Sequence, residues 1–200
     1  MVDAEGSEQR DRMPALPEDR LTTEQQSALA EITAGPRGAS AGPFVPLLRS
    51  PELMTRLQKT GEYLRFSSPL ERRLFEMTIL FVARWWDQQF EWSYHHPLAL
   101  DAGLDPAVAD AIADDRRPQG MDRTAAAVWD LLDELHRTKR VTDETYARAL
   151  AELGEDGVVE LVATAGYYTT LAMVMNTAGT PAPGGPLLPD VRLATSKDQA

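Results

Sequence analysis

The sequence predicts an all-α fold of about seven or eight helices, and three observations carry that prediction. Apolar residues recur at three- and four-residue spacings through most of residues 21–180. Ser, Thr or Asp stands ahead of most of these stretches, as at Ser50-Pro51, Ser68-Pro69 and Asp105-Pro106, where proline follows at a first helical position. No alternating strand pattern of convincing length is present, and Asp156-Gly157, a hairpin-type pair, lies between two helical runs.

Residues 1–20 mix charges, glycine, serine and proline without an apolar period and read as a disordered or extended tail. Thr22 or Thr23 caps a helix carrying Leu29 and Ile32 that ends near Gly35-Pro36. Residues 36–46 read as a Gly/Pro/Ser loop. Leu53, Leu57, Tyr63 and Leu64 form the apolar stripe of the helix after Ser50, and Leu70, Leu74, Met77, Leu80, Phe81 and Ala83 that of the helix after Ser68. Asp105 opens a short helix, Asp122 one through Val128, Leu131, Leu132 and Leu135, and Thr142 one that ends at Gly154. The last helix, residues 156–177, is apolar nearly all round and is expected either in the core or against a second subunit. Prolines and glycines from Pro181 to Pro189 then forbid a regular element, so residues 181–200 read as a second tail around a helical domain of residues 21–180.

The 200 residues include 20 basic and 31 acidic side chains, a formal charge of -11, and no cysteine. A field of that sign repels phosphate backbones and anionic lipid, so nucleic acid and membrane are not expected partners. The missing cysteine removes disulfides, thiolate metal sites and thiol chemistry. Residues 1–20 lack the apolar core of a secretory leader, and the apolar stretches read as too interrupted to span a bilayer, so a cytoplasmic location is expected.

Unusual residues collect between positions 85 and 96, where three of the four tryptophans and two of the three histidines fall. Aromatic walls around titratable groups lower the local dielectric and strengthen their charges; a plain helix-helix core would use the same tryptophans. Gln88, Glu91 and His95 stand at i, i+3 and i+7, which places them on one helical face, and Glu91 and His95 are spaced for a charge-assisted hydrogen bond. Pro97 removes one backbone donor, so a kink or break is expected beside His95. On the preceding helix, Glu76 reaches the same stripe if the two helices pack antiparallel; the bland alternative is an ion pair with Arg72 or Arg73. Two carboxylates around one imidazole separate their pKa values and so hold an acid and a base together. Adjacent histidines on a helix point about 100° apart, which argues against His95 and His96 sharing a metal ion.

From Pro43 to Pro181 the chain resembles the carboxymuconolactone decarboxylase family, which also contains the alkylhydroperoxidase D proteins. The likeness lies in PFVPLLRSPEL (43–53), GEYLR (61–65), RLFE (73–76), FEWSYHHPLAL (90–100), ELV (160–162) and GYY (166–168). The resemblance implies an all-helical fold and a homo-oligomer, trimer or hexamer. The family's peroxidase branch has a glutamate, two cysteines three apart and a histidine at the positions held here by Glu76, Gln88, Glu91 and His95. Both thiols are replaced, which excludes thiol peroxidase chemistry; Glu91-Trp92-x-x-His95 is similar to the decarboxylase branch.

That likeness implies a carbon-carbon lyase without metal or organic cofactor, removing carbon dioxide from a small unsaturated lactone or carboxylic acid. His95 is expected to grip or protonate the substrate, with Glu91 as its acid/base partner and Glu76 orienting the imidazole. Trp92 and Tyr94 are expected to wall the pocket with Gln88 and His96 beside them, and Arg73 to anchor the anion. Related isomerase, dehydratase or cyclase reactions on a biosynthetic intermediate, and a non-catalytic ligand-binding scaffold, use the same framework.

Overall fold

The computed structural model describes residues 11–189, and all regular structure among them is helical. The helices are α1 (Thr23–Ala34), α2 (Phe44–Leu47), α3 (Pro51–Phe66), α4 (Arg72–Trp85), α5 (Gln89–Asp101), α6 (Pro106–Ala113), α7 (Arg123–Thr138) and α8 (Asp143–Ala178). The expectations on residues 1–10 and 190–200 lie outside the described residues.

Four helix starts carry the expected caps, while Ser50 stands at the start of α3 without a side-chain capping bond. Thr22 forms a reciprocal capping box with Gln25, and the side chains of Asp105, Asp122 and Thr142 accept from backbone N–H groups at the starts of α6, α7 and α8. α4 starts later than Ser68-Pro69 suggested. The Ser68 hydroxyl accepts from Leu70 N at 3.2 Å in a local turn, and the helix begins at Arg72. α2 falls inside the expected 36–46 loop: Phe44, Pro46 and Leu47 are buried there, and one helical turn lets them point inward together.

α4 is the centre of the molecule. Every residue from Leu74 to Arg84 is buried, and α5, α6, α7 and α8 all pack against it. Burial all round requires neighbours all round, so its one apolar stripe understated its place. α3 buries only part of the expected stripe: Leu64 is in the core and Leu57 packs against it, but the inward face is rotated. Met54, Gln58, Gly61 and Leu64 are buried, while Leu53 and Tyr63 are exposed. An apolar count passes over Gln58 and Gly61, yet the close approach of α8 selects the narrow residue at position 61.

Of the kink or break expected at Pro97 the break does not occur, and α5 runs on through the proline. Proline deletes one helical hydrogen bond and leaves the bonds on either side intact, and packing along α4 holds the segment together. The boundary expected at Gly154 shows as a non-helical residue (φ 70°, ψ 175°) inside α8, a positive φ that suits glycine and bends the long helix. α8 is long and apolar enough, by length and composition, to cross a membrane, which corrects the expectation that no stretch reaches that length. Half of its most apolar window is buried within the protein against neighbours that include α4 and α7, while Val159, Val162 and Met173 remain exposed.

The irregular segments at either end lie on the helices. Arg12 N donates to Ala178 O at 2.6 Å, and Arg49 Nη2 to Pro14 O at 2.8 Å. At the other end Gln89 exchanges two hydrogen bonds with the Leu188 backbone, Arg84 Nη1 donates to Pro189 O at 2.9 Å, and the Ser93 hydroxyl donates to Gly184 O. Leu188 is buried beneath this strap.

Candidate functional site

The turn between α4 and α5 sets the register of the site. Gln88 N donates to Ala83 O at 2.8 Å, and the Gln88 side-chain oxygen accepts from Phe90 N at 2.6 Å, capping α5. Asn176 of α8 clamps the turn, taking a bond from Gln88 Nε2 and donating to Trp86 O, each at 2.8 Å. The short turn folds α5 back along α4, and Glu76 then meets His95.

His95 is 3% exposed and carries a carboxylate at each ring nitrogen. Nδ1 lies 2.7 Å from Glu76 Oε2, and Nε2 lies 3.3 Å from Glu91 Oε2. The other oxygen of Glu76 pairs with Arg72, so that carboxylate, fully buried, is held from two sides. The ion pair between Glu76 and Arg72 and the site contact with His95 therefore coexist. Glu91 differs: it is 3% exposed, and its Oε1 is buried without a hydrogen-bond partner among the described residues.

Burial alone would depress the pKa of His95. The hydrogen bonds and charges of Glu76 and Glu91 outweigh it, and the net shift is upward. A ring flanked by two carboxylates donates to both only as imidazolium, so the geometry and the shift agree. Tyr168 packs edge-on against the imidazole, with ring centroids 5.3 Å apart. Its burial, with Glu91 nearby, pushes the phenol well above its ordinary range and keeps it protonated.

A cavity of about 240 Å³ opens in front of this array, lined by Glu91, His95, Phe90, Tyr94, Tyr168, Leu171, Arg65 and the 37–44 segment, including Arg37 and Phe44. It is smaller than the roughly 300–1,000 Å³ usual for drug-sized ligands, so it suits a small molecule. Glu76 stands behind His95 rather than in the lining.

The structure thus gathers Glu76, Glu91, His95 and Tyr94 and disperses the other expected residues. Trp92 is buried away from the cavity, with its ring 5.4 Å from that of His96. His96 is half-buried on that other side of α5, where burial lowers its pKa and Asp110 partly offsets it. Gln88 is consumed by capping and by Asn176; it precedes α5, so it does not share the helical face of Glu91 and His95. Arg73 is spent on ion pairs with Glu71 and Asp122 at 3.1 and 2.8 Å, outside the cavity. Among the described residues no group of three or more His, Asp and Glu side chains is arranged to hold a metal ion.

Arg37, Arg65 and Tyr168 line the cavity without belonging to the site expected from the sequence. Arg37 did leave a signal: no acidic residue lies within four positions of it, unusual in so acidic a chain. Compared with models of protein families and with curated proteins, the chain matches none.

Proposed function

We propose that this chain is a cofactor-independent acid/base enzyme of the carboxymuconolactone decarboxylase kind, acting on a small unsaturated lactone or carboxylic acid. The supporting observation is the Glu76–His95–Glu91 array, with one free carboxylate oxygen at a small cavity. A buried histidine between two buried carboxylates is costly to assemble for stability alone, and perturbed titrating groups in a cleft mark functional sites.

The array also suggests how roles divide. Both ring nitrogens of His95 are engaged, so Glu91 Oε1 is the atom left to meet a substrate. In the proposed decarboxylation the bond between the carboxylate carbon and the lactone ring breaks. Its electron pair delocalises through the conjugated double bond into the lactone carbonyl, and carbon dioxide leaves. His95 then passes its Nε2 proton to Glu91 Oε2, the carboxyl group rotates to bring that proton to the cavity, and Glu91 delivers it to carbon. The neutral imidazole, fixed by Glu76, takes a replacement proton from solvent before the next turnover. Phe90 and the buried Tyr168 wall the cavity beside these charges, with the exposed Tyr94 at its mouth.

The test is to incubate purified protein with a panel of unsaturated lactone acids and follow both substrate and carbon dioxide. Release of carbon dioxide, abolished in a folded His95→Ala variant, is the expected result; full activity in that variant overturns the assignment. Consumption without carbon dioxide release would point to an isomerase, dehydratase or cyclase, and binding without turnover to a scaffold.

A further inference from the structure

The acid/base array explains one end of the cavity and leaves the other unexplained. Arg37 and Arg65 line that cavity, yet the described residues give neither a carboxylate partner. Most arginines elsewhere, including Arg56, Arg72, Arg73, Arg84, Arg117, Arg123, Arg137 and Arg148, are paired with acids. Arg12, Arg20, Arg49 and Arg140, which have no acid partner among the described residues, are exposed, whereas Arg37 and Arg65 are half-buried. In a chain with 31 acidic and 20 basic residues, two unpaired cations at one cavity are a built feature.

Their environment prepares them to grip an anion. Arg37 stacks over the Phe44 ring at 4.9 Å, and Arg65 over the Phe66 and Tyr94 rings at 5.4 and 5.5 Å. Stacking uses the face of a guanidinium and leaves its in-plane donors for other partners, the edge that meets a carboxylate. Of these, Arg65 Nη2 donates to the Tyr94 hydroxyl at 3.4 Å. Arg37 Nε and Nη2 and Arg65 Nε are buried without hydrogen-bond partners among the described residues, as is the Tyr167 hydroxyl. Buried donors without acceptors are costly, so a cluster of them marks the place of a missing acceptor. The cluster is contiguous. Arg37 Nη2 and the Tyr167 hydroxyl both lie against Gly61, and Arg65 follows one helical turn later on α3.

We propose that Arg37 and Arg65, with the Tyr167 hydroxyl behind them, form a carboxylate-binding subsite. The ligand is then a small carboxylic acid whose anionic group sits between the two guanidiniums while its reacting carbon faces Glu91. This deepens the acid/base reading and rests on it for the position of that carbon; the anion site stands on the arginines. Charge orients the ligand, because a carboxylate is repelled from Glu91 Oε1 and attracted to the arginine end.

Isothermal titration calorimetry with succinate, maleate and cis,cis-muconate, each against its diamide, tests the subsite. At least one acid is expected to bind while its diamide does not. Arg37→Gln and Arg65→Gln should each weaken that binding by about 10- to 100-fold, the range for losing a hydrogen bond to a charged group. Arg65→Lys, which keeps charge and stem, should recover part of the loss and covers the event that Arg65→Gln unfolds. Acids that bind no better than their amides, or an Arg37→Gln protein that binds as wild type does, overturn the proposal. Glu91→Gln separates the two readings. Carboxylate binding in a protein without turnover removes the acid/base reading alone, and turnover of neutral lactones without carboxylate binding removes the anion subsite alone.

Discussion

His95 Nδ1 lies 2.7 Å from Glu76 Oε2, with side-chain exposures of 4% and 0%. The contact joins α5 to α4 at the point where Arg72 also reaches Glu76. One buried carboxylate therefore balances two cationic groups. Its replacement by the neutral Glu76→Gln keeps the shape and removes the charge. A hydrogen bond to a charged group contributes about 1.5–3 kcal/mol, so the variant is expected to lose stability in that range in urea titrations. A variant as stable as wild type would show that the Glu76–His95 contact contributes nothing to the fold.

The protonation of His95 gives that stability a pH dependence. Its pKa is raised in the folded protein above the ordinary 6.5, the carboxylates overcoming burial. Its contribution is therefore complete below about pH 6.5, and is lost as pH rises through the folded pKa. His136 acts in the opposite direction: burial lowers its pKa, so it costs stability as pH falls. The comparison must isolate His95. The stability difference between wild type and His95→Gln should shrink as pH rises above 6.5, as measured by urea midpoints. A difference that grows over the same range would contradict the imidazolium.

Gly61 sets two effects against each other. Alanine in mid-helix gains about 1 kcal/mol of intrinsic propensity over glycine. A methyl group built on Gly61, however, would overlap the Tyr167 hydroxyl and Arg37 Nη2. Both are parts of well-buried or stacked side chains, so the clash wins, at a cost of about 1–3 kcal/mol for overpacking. Gly61→Ala should therefore melt lower than wild type in a thermal scan despite its better propensity. A higher melting temperature would mean that Arg37 and Tyr167 move aside freely.

How much of this was legible in the sequence depends on range. The caps at Thr22, Asp105, Asp122 and Thr142 are local, and each forms the hydrogen bond that its position suggested. The Glu91–His95 pair was legible from four-residue spacing, and Glu76 followed once two helices joined by a short turn were folded together. Gln88 illustrates the limit. Its spacing suited the helical face, but the helix begins one residue after it, and a cap residue has a different backbone and a different aim. The buried face of α3 is only half legible: Leu57 and Leu64 follow the apolar stripe, but Gly61 answers to Tyr167 of α8, which no periodicity within α3 reports. Arg37 reaches the cavity from a loop far from α5 in sequence, so only the folded chain shows what it faces.

In the proposed reaction Glu91 carries to carbon the proton that His95 supplies. The most direct test compares the turnover of wild type and Glu91→Gln on a lactone acid that the wild type consumes, with circular dichroism confirming equal folding. General acid/base catalysis contributes about 10²- to 10⁴-fold, so a loss of that size is expected of this role, with carboxylate binding retained. Wild-type turnover in Glu91→Gln would contradict it.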